Sequence, residues 1–209
     1  MPIPFLSRFV NSKDAVRQED ITVVSGLPRS GTSMMMKMLE AGGVAIMTDN
    51  QRAADENNPK GYYEYERVKQ LKKGDYAWLN DAHGKAVKII SALLEQLPDE
   101  HTYKIIFMRR NMNEILASQR QMLIRLGEAT DKVSDEKLAD LYQKHLDKVE
   151  AWLGQQTHMK VLFVSYNDIL ADPQANLIRI NQFFGNRLDM QRMMPVVDKG
   201  LYRERRPTP

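Results

Sequence analysis

Ile21-Thr22-Val23-Val24-Ser25-Gly26-Leu27-Pro28-Arg29-Ser30-Gly31-Thr32-Ser33-Met34-Met35 is the stretch that decides the fold. The β-branched run at its start reads as a buried strand. It breaks at Gly-Leu-Pro-Arg-Ser-Gly, and a Met- and Leu-rich helix then runs to Gly42-Gly43. A loop between a parallel strand and a helix aims backbone N–H groups and the positive end of the helix dipole at one point. That point suits a phosphate or sulfate. Gly26 and Gly31 are five apart, as in a Walker A loop, where a Lys and then Ser or Thr should follow the second Gly. Here Thr32 and Ser33 follow, and the positive charge comes earlier, at Arg29. The residues fit an anion, but not the γ-phosphate of a nucleoside triphosphate.

Pro28-Arg29-Ser30-Gly31-Thr32-Ser33 resembles the P-[KR]-S-G-T-[ST] loop of the sulfotransferase superfamily, in the Arg version of tyrosylprotein and many bacterial sulfotransferases. The resemblance implies a donor, 3′-phosphoadenosine-5′-phosphosulfate (PAPS), bound on Pro28, Arg29, Ser30, Gly31, Thr32 and Ser33, with the backbone N–H groups of residues 30–33 on its 5′-phosphate. It also implies a single-domain, P-loop-like three-layer α/β/α fold around a mainly parallel sheet of four to five strands. The expected organisation is a lead-in over 1–19, the α/β domain over 20–198 and a basic tail over 199–209.

Composition agrees with such a domain. The chain has 209 residues, 43% hydrophobic and 27% charged, the mix of a soluble globular protein with a substantial core. No apolar run approaches the roughly 20 residues that span a membrane, and Met1-Pro2-Ile3-Pro4-Phe5-Leu6 is too short and Pro-rich for a secretory signal. With no Cys, disulfides, thiolate zinc sites and Cys nucleophiles are excluded, which fits a reducing cytoplasm. A net charge of +3 suits an anionic ligand without the basic face of a nucleic-acid binder. The four His (His83, His101, His145, His158) are scattered and suggest no metal site.

Further motifs follow in the superfamily's order. Met34, Met35, Met36, Met38 and Leu39 point all round the first helix, which predicts burial on several sides. Val44-Ala45-Ile46 reads as a short strand. Asn58-Pro59-Lys60-Gly61-Tyr62-Tyr63-Glu64 is similar to a segment of many bacterial sulfotransferases, and a helix is predicted from there to about Asn80. Ala86-Val87-Lys88-Ile89-Ile90 reads as a strand containing a Lys, which either lies at an edge in solvent or points at a bound anion. It resembles the superfamily's Lys-Thr-His-Leu-Pro strand, with Ile90 where that strand has its His. Tyr103–Met108 is the clearest later strand, and Asn111 and Glu114 after it have capping-box spacing. Sulfotransferases hold the 3′-phosphate with an Arg and a Ser eight residues later; Arg110 and Ser118 have that spacing, whereas Arg109 is nine away. A polar amphipathic helix is predicted over 131–154, then a strand at Lys160–Val164. Ser165-Tyr166-Asn167-Asp168-Ile169-Leu170 with Asp172-Pro173 resembles a Tyr-Glu-Asp-Leu…Asp-Pro signature, with Asn167 replacing the Glu. Tyr166 is either a contact of the adenine or a cap on the core. Arg203, in the basic tail, either touches the 3′-phosphate as a late Arg-rich loop does in cytosolic members or is solvated.

The implied reaction moves a sulfuryl group from PAPS to a hydroxyl (or amine), leaving adenosine 3′,5′-bisphosphate (PAP). The protein's work is alignment and charge stabilisation, without metal. Arg29 and Lys88 are the candidate cations at the leaving oxygen. Glu64 is the candidate base for the acceptor, with the Tyr62-Tyr63 pair as an apolar wall; its other reading is to hold the loop in place. The acceptor is a small molecule, glycan or lipid of unspecified identity. The chain is short beside many relatives, so that its acceptor side is open or completed by a second subunit, as in a homodimer. Two other classes stay open: a nucleotide or metabolite kinase with an unusual loop, and a non-catalytic PAP-binding protein.

Overall fold

The run Ile21–Gly26 forms β1, buried at every position, and it is the middle strand of a five-stranded sheet ordered β2-β3-β1-β4-β5. The computed structural model describes residues 19–49, 51, 61–130 and 133–197. Around β1 lie β2 (Ala45–Ile46), β3 (Lys85–Lys88), β4 (Tyr103–Arg109) and β5 (Met159–Ser165). Every pairing among them is parallel. The helices are α1 (Thr32–Ala41), α2 (Met112–Arg125), α3 (Asp135–Leu153), α4 (Tyr166–Ala171), α5 (Pro173–Phe183) and α6 (Met190–Met193). The expected three-layer α/β/α arrangement is present, and its sheet has the upper number of strands foreseen. The proposed lead-in and tail fall almost wholly outside the described residues.

Strand alternation divides the core into two layers. Ile21, Val23, Val87, Ile105 and Phe107 face α3 and the 3-10 turns, where Trp78, Leu79 and Leu94 are fully buried. Val24, Ala86, Ile106 and Met108 face α1, α4 and α5. Met35, Met36, Met38 and Leu39 of α1 are all 0% exposed, so the Met-rich helix is buried on several sides as its pattern predicts. Because β1 sits between β3 and β4, the chain leaves it toward one edge and later returns on the other side. Ligands of such sheets bind beyond the carboxyl ends of strands at this reversal. Registers Val24↔Lys88, Gly26↔Met108 and Arg109↔Ser165 bring the turns after β1, β3, β4 and β5 to that one edge.

Four local expectations are corrected. The helix foreseen from Tyr62 to Asn80 is two 3-10 segments, Glu66–Lys73 and Ala77–Ala82. Gly74 ends the first at φ 80°, and the Trp78 indole donates to the Asp75 carbonyl, fixing the break. The strand foreseen through Ile90 stops at Lys88, and Ile90 begins another 3-10 turn, Ser91–Gln96. The capping box is half made: Asn111 accepts from the Asn113 N–H, but the Asn111 N–H donates to Asn167 and the Glu114 carboxylate is engaged elsewhere. Two of the scattered His come together, His83 Nε2 lying 3.0 Å from His101 Nδ1 at the amino ends of β3 and β4. His83 Nδ1 lies 2.6 Å from the Glu19 carbonyl and donates to it. Among the described residues, no three His, Cys, Asp or Glu gather to hold a metal ion, and no helix is long and apolar enough to cross a membrane.

Gly26 marks the tightest approach of β1 to β4. At φ 143°, a Cβ there would lie 2.5 Å from the Met108 carbonyl oxygen, a backbone atom that cannot swing aside. Gly26→Ala therefore combines backbone strain with overpacking, about 3 kcal/mol together, and lowers the Tm by roughly 6–12 °C. Gly43→Ala, also at positive φ (95°) but with nothing within 4 Å, serves as the control. It costs only about 1 kcal/mol. Thermal melts followed by circular dichroism check the contrast, and equal shifts would contradict it.

Candidate active site

The site begins at the turn after β1. Its backbone closes through Ser30 N–H donating to the Leu27 carbonyl at 3.2 Å. Arg29 sits in the left-handed region at φ 69°, a costly place for a residue with a Cβ. Gly31, at φ 98°, caps α1 without a side-chain cap, and the first intrahelical bond runs from Met35 N–H to its carbonyl at 3.1 Å. The amides of Thr32, Ser33 and Met34 precede that bond, and no acid lies in the first turn to offset the positive end of the dipole. Of the four N–H groups expected to face a phosphate, that of Ser30 closes the turn instead. The Ser30 hydroxyl is 1% exposed and has no hydrogen-bond partner among the described residues. A buried, unpaired hydroxyl beside a helix N-terminus fits a phosphate-bearing ligand.

Three basic side chains meet this turn. Arg29 Nε donates to Ser118 Oγ at 2.9 Å, reaching α2. Arg110 Nη1 donates to the Arg29 carbonyl at 3.1 Å, and its guanidinium lies 4.6 Å from the Tyr166 ring centroid. Lys88 Nζ donates to Ser33 Oγ at 3.3 Å and to the Tyr62 carbonyl at 2.9 Å. The Lys in the strand is therefore not an edge residue in solvent: β2 lies beyond it, and it points at the start of α1. Arg110 and Ser118 both reach the turn through Arg29, Arg110 at its carbonyl and Ser118 at its side chain. Arg109 goes the other way. It forms an ion pair with Glu150 of α3 and stacks 4.2 Å from the Phe163 ring centroid. Successive side chains at a strand end take opposite faces, which is why only one Arg of the pair joins the site.

The remaining residues are distributed as follows. Tyr166 is 6% exposed; its ring packs on Gly31, where a Cβ would lie 2.5 Å from Cδ2, and under Arg110. The Glu64 backbone is anchored, its carbonyl accepting from Thr48 Oγ1 at 2.9 Å and from Asp49 N–H at 3.3 Å. Tyr62 is buried, but Tyr63 turns away from the expected apolar wall and donates to Glu40 of α1 at 2.8 Å. Burial, and the Glu40 carboxylate beside it, hold the Tyr63 phenol well above its ordinary pKa. Pro28 is exposed at the outer side of the turn. Arg203 and residues 52–60 lie outside the described residues. Next to the turn, Leu27, Ser30, Arg110 and Met112 line a cavity of about 310 Å³ whose far wall is the Arg109–Glu150 pair.

Sequence reasoning missed two members. Glu114, 4% exposed, accepts from Arg110 Nε at 3.0 Å and from Asn167 Nδ2 at 3.0 and 3.1 Å. Both had been noticed, Glu114 as half of a cap and Asn167 as a departure from a signature. The signal for Glu114 is its four-residue spacing from Arg110, which lies just before the N-cap of α2.

The sulfotransferase domain family matches residues 19–206. No curated protein matches the chain in sequence. Among solved structures, sulfotransferase STF1 from Mycobacterium tuberculosis is similar at 18% identity and TM-score 0.51, covering 86% of this chain and 72% of its own. Mouse sulfotransferase SULT7A1 complexed with PAP aligns at 18% identity and TM-score 0.49, over 87% of this chain and 63% of its own. Retinol dehydratase in complex with androsterone and inactive cofactor PAP aligns at 19% identity and TM-score 0.48, over 84% and 62%. The chain thus spans less than two thirds of the length of two of these structures. With a family match that runs from before β1 to beyond α6, the chain belongs to the sulfotransferase domain family.

Proposed function

We propose that this protein is a sulfotransferase that moves a sulfuryl group from PAPS to a hydroxyl, or an amine, of a small-molecule, glycan or lipid acceptor. The observation that carries the reading is the meeting of Arg29, Lys88, Arg110 and Ser118 at the start of α1. Bound PAPS supplies an activated sulfuryl group, whose S–O bond to the 5′-phosphate breaks, with the electron pair staying on phosphate, as the acceptor oxygen takes the sulfur.

The amides at the start of α1 and the Ser30 hydroxyl hold the 5′-phosphate. Arg29 and Lys88 stabilise the charge that grows on the leaving oxygen, an interaction stronger in the transition state than before it. Arg110 and Ser118 hold the 3′-phosphate. Ser118 suits this because its hydroxyl accepts from Arg29 and keeps its own hydrogen to donate. Tyr166 supports the site from beneath, fixing both Gly31 and the Arg110 plane. Glu64 takes the acceptor's proton; its anchored backbone gives that carboxylate a fixed base. Arg203 of the tail is a further candidate for the 3′-phosphate. A cytoplasmic, bacterial setting belongs to the same proposal, the loop's Arg version being shared by many bacterial sulfotransferases. Exposed Ile124, Leu126 and Leu141 on and beside α2 and α3 support pairing with a second subunit.

Calorimetric titration separates this reading from a kinase: PAP binds at least about tenfold tighter than ATP with Mg²⁺, and the reverse order overturns it. Arg110→Ala raises the PAP Kd about tenfold or more, whereas Arg109→Ala leaves it within about twofold. Equal losses would remove Arg110 from the 3′-phosphate. With radiolabelled donor and a panel of alcohols, sugars, lipids and amines, Arg29→Ala and Lys88→Ala each lower turnover about 10²–10³-fold. Turnover by Lys88→Ala near the wild-type rate would end its catalytic role, and PAP binding with no acceptor ever sulfated would favour a binding protein.

A further inference from the structure

The turn after β1 is tied to two others by a continuous hydrogen-bonded chain. From β5–α4, Asn167 Oδ1 accepts the Asn111 N–H at 3.2 Å while its Nδ2 donates to both oxygens of Glu114. Glu114 in turn accepts from Arg110 Nε, and Arg110 Nη1 holds the Arg29 carbonyl. The Arg110 and Glu114 side chains are only 9% and 5% exposed, so neither is screened as a surface pair would be.

The chemistry of each position is directional. A carboxylate only accepts, so the group facing Glu114 from residue 167 must donate; a backbone N–H only donates, so the group facing Asn111 must accept. An amide meets both demands, and a carboxylate at 167 meets one. The guanidinium of Arg110 is then fixed on its Nε edge by Glu114, at Nη1 by the Arg29 carbonyl and on its face by Tyr166.

We propose that Glu114 and Asn167 are positioning residues that orient Arg110 for the donor's 3′-phosphate, with one acid and one amide required between them. This rests on the reading of Arg110 as a 3′-phosphate ligand. The substitution of Asn for the Glu of the similar signature is thereby part of the donor site and not a neutral drift. Removing the negative charge of Glu114 frees the guanidinium to rotate; a second acid at 167 faces Glu114 with no hydrogen to share.

The test uses the full chain and two probes, PAP and adenosine 5′-monophosphate (AMP), which lacks the 3′-phosphate. Glu114→Gln and Asn167→Asp each raise the PAP Kd about tenfold or more and the AMP Kd several-fold less, because Arg110 also holds the Arg29 carbonyl of the 5′-phosphate turn. The double variant Glu114→Gln/Asn167→Asp, which exchanges acid and amide, restores PAP binding to within about threefold of wild type. Thermal melts accompany the titrations; if Glu114→Gln fails to fold, Asn167→Asp and the double variant carry the comparison. Parallel loss of PAP and AMP affinity, no loss in either single variant, or no recovery in the double variant overturns the proposal. A wild-type chain that binds PAP and AMP alike removes the 3′-phosphate reading itself, and the proposal falls with it.

Discussion

Arg110 donates to the carbonyl of Arg29, a residue held in a left-handed backbone conformation that costs it about 1 kcal/mol or more. That bond joins the end of β4 to the turn after β1, and the other end of Arg29 is tied to α2 through Ser118. A strained backbone persists where its surroundings over-determine it, and here a guanidinium, a hydroxyl and the Tyr166 ring against Gly31 do so. The result is a turn braced from three sides. Preorganisation of this kind keeps a charged group aimed without a reorganisation cost during reaction.

The sheet makes those ties possible. Five parallel strands with β1 in the middle bring their carboxyl ends to one edge, and strand alternation sends Lys88 and Arg110 toward α1 while Arg109 goes to α3. The same alternation separates the two hydrophobic layers, so packing and site geometry share one cause. Arg109 serves the first purpose and Arg110 the second, although they are adjacent.

Much of this was legible in the sequence, wherever a local pattern carries its own geometry. The β-branched run at Ile21–Val24, the Gly26 and Gly31 spacing and the Met-rich helix all lie where their residue types put them. Arg110 and Ser118, picked by the spacing that the resemblance implies, each bond a different end of Arg29. The region 62–80 was not legible as two 3-10 segments, because its apolar spacing at Val68, Leu71, Trp78 and Leu79 also suits a helix; the positive φ of Gly74 and the Trp78 indole's bond to the Asp75 carbonyl set the break locally. Glu114 looked like a cap because its sequence position is right for one, and only the nearness of β5–α4 shows what else it can reach. The His83–His101 pair was hidden for a similar reason, since its members come from the separate connections that lead into β3 and β4.

A crystal structure of the chain with bound PAP tests the central geometry most directly. Its 3′-phosphate should lie against Arg110 and Ser118, and its 5′-phosphate at the start of α1 within reach of Arg29 and Lys88. A bisphosphate bound in the opposite sense, or away from the turn between Gly26 and Ser33, would contradict the arrangement from which the proposed activity is drawn.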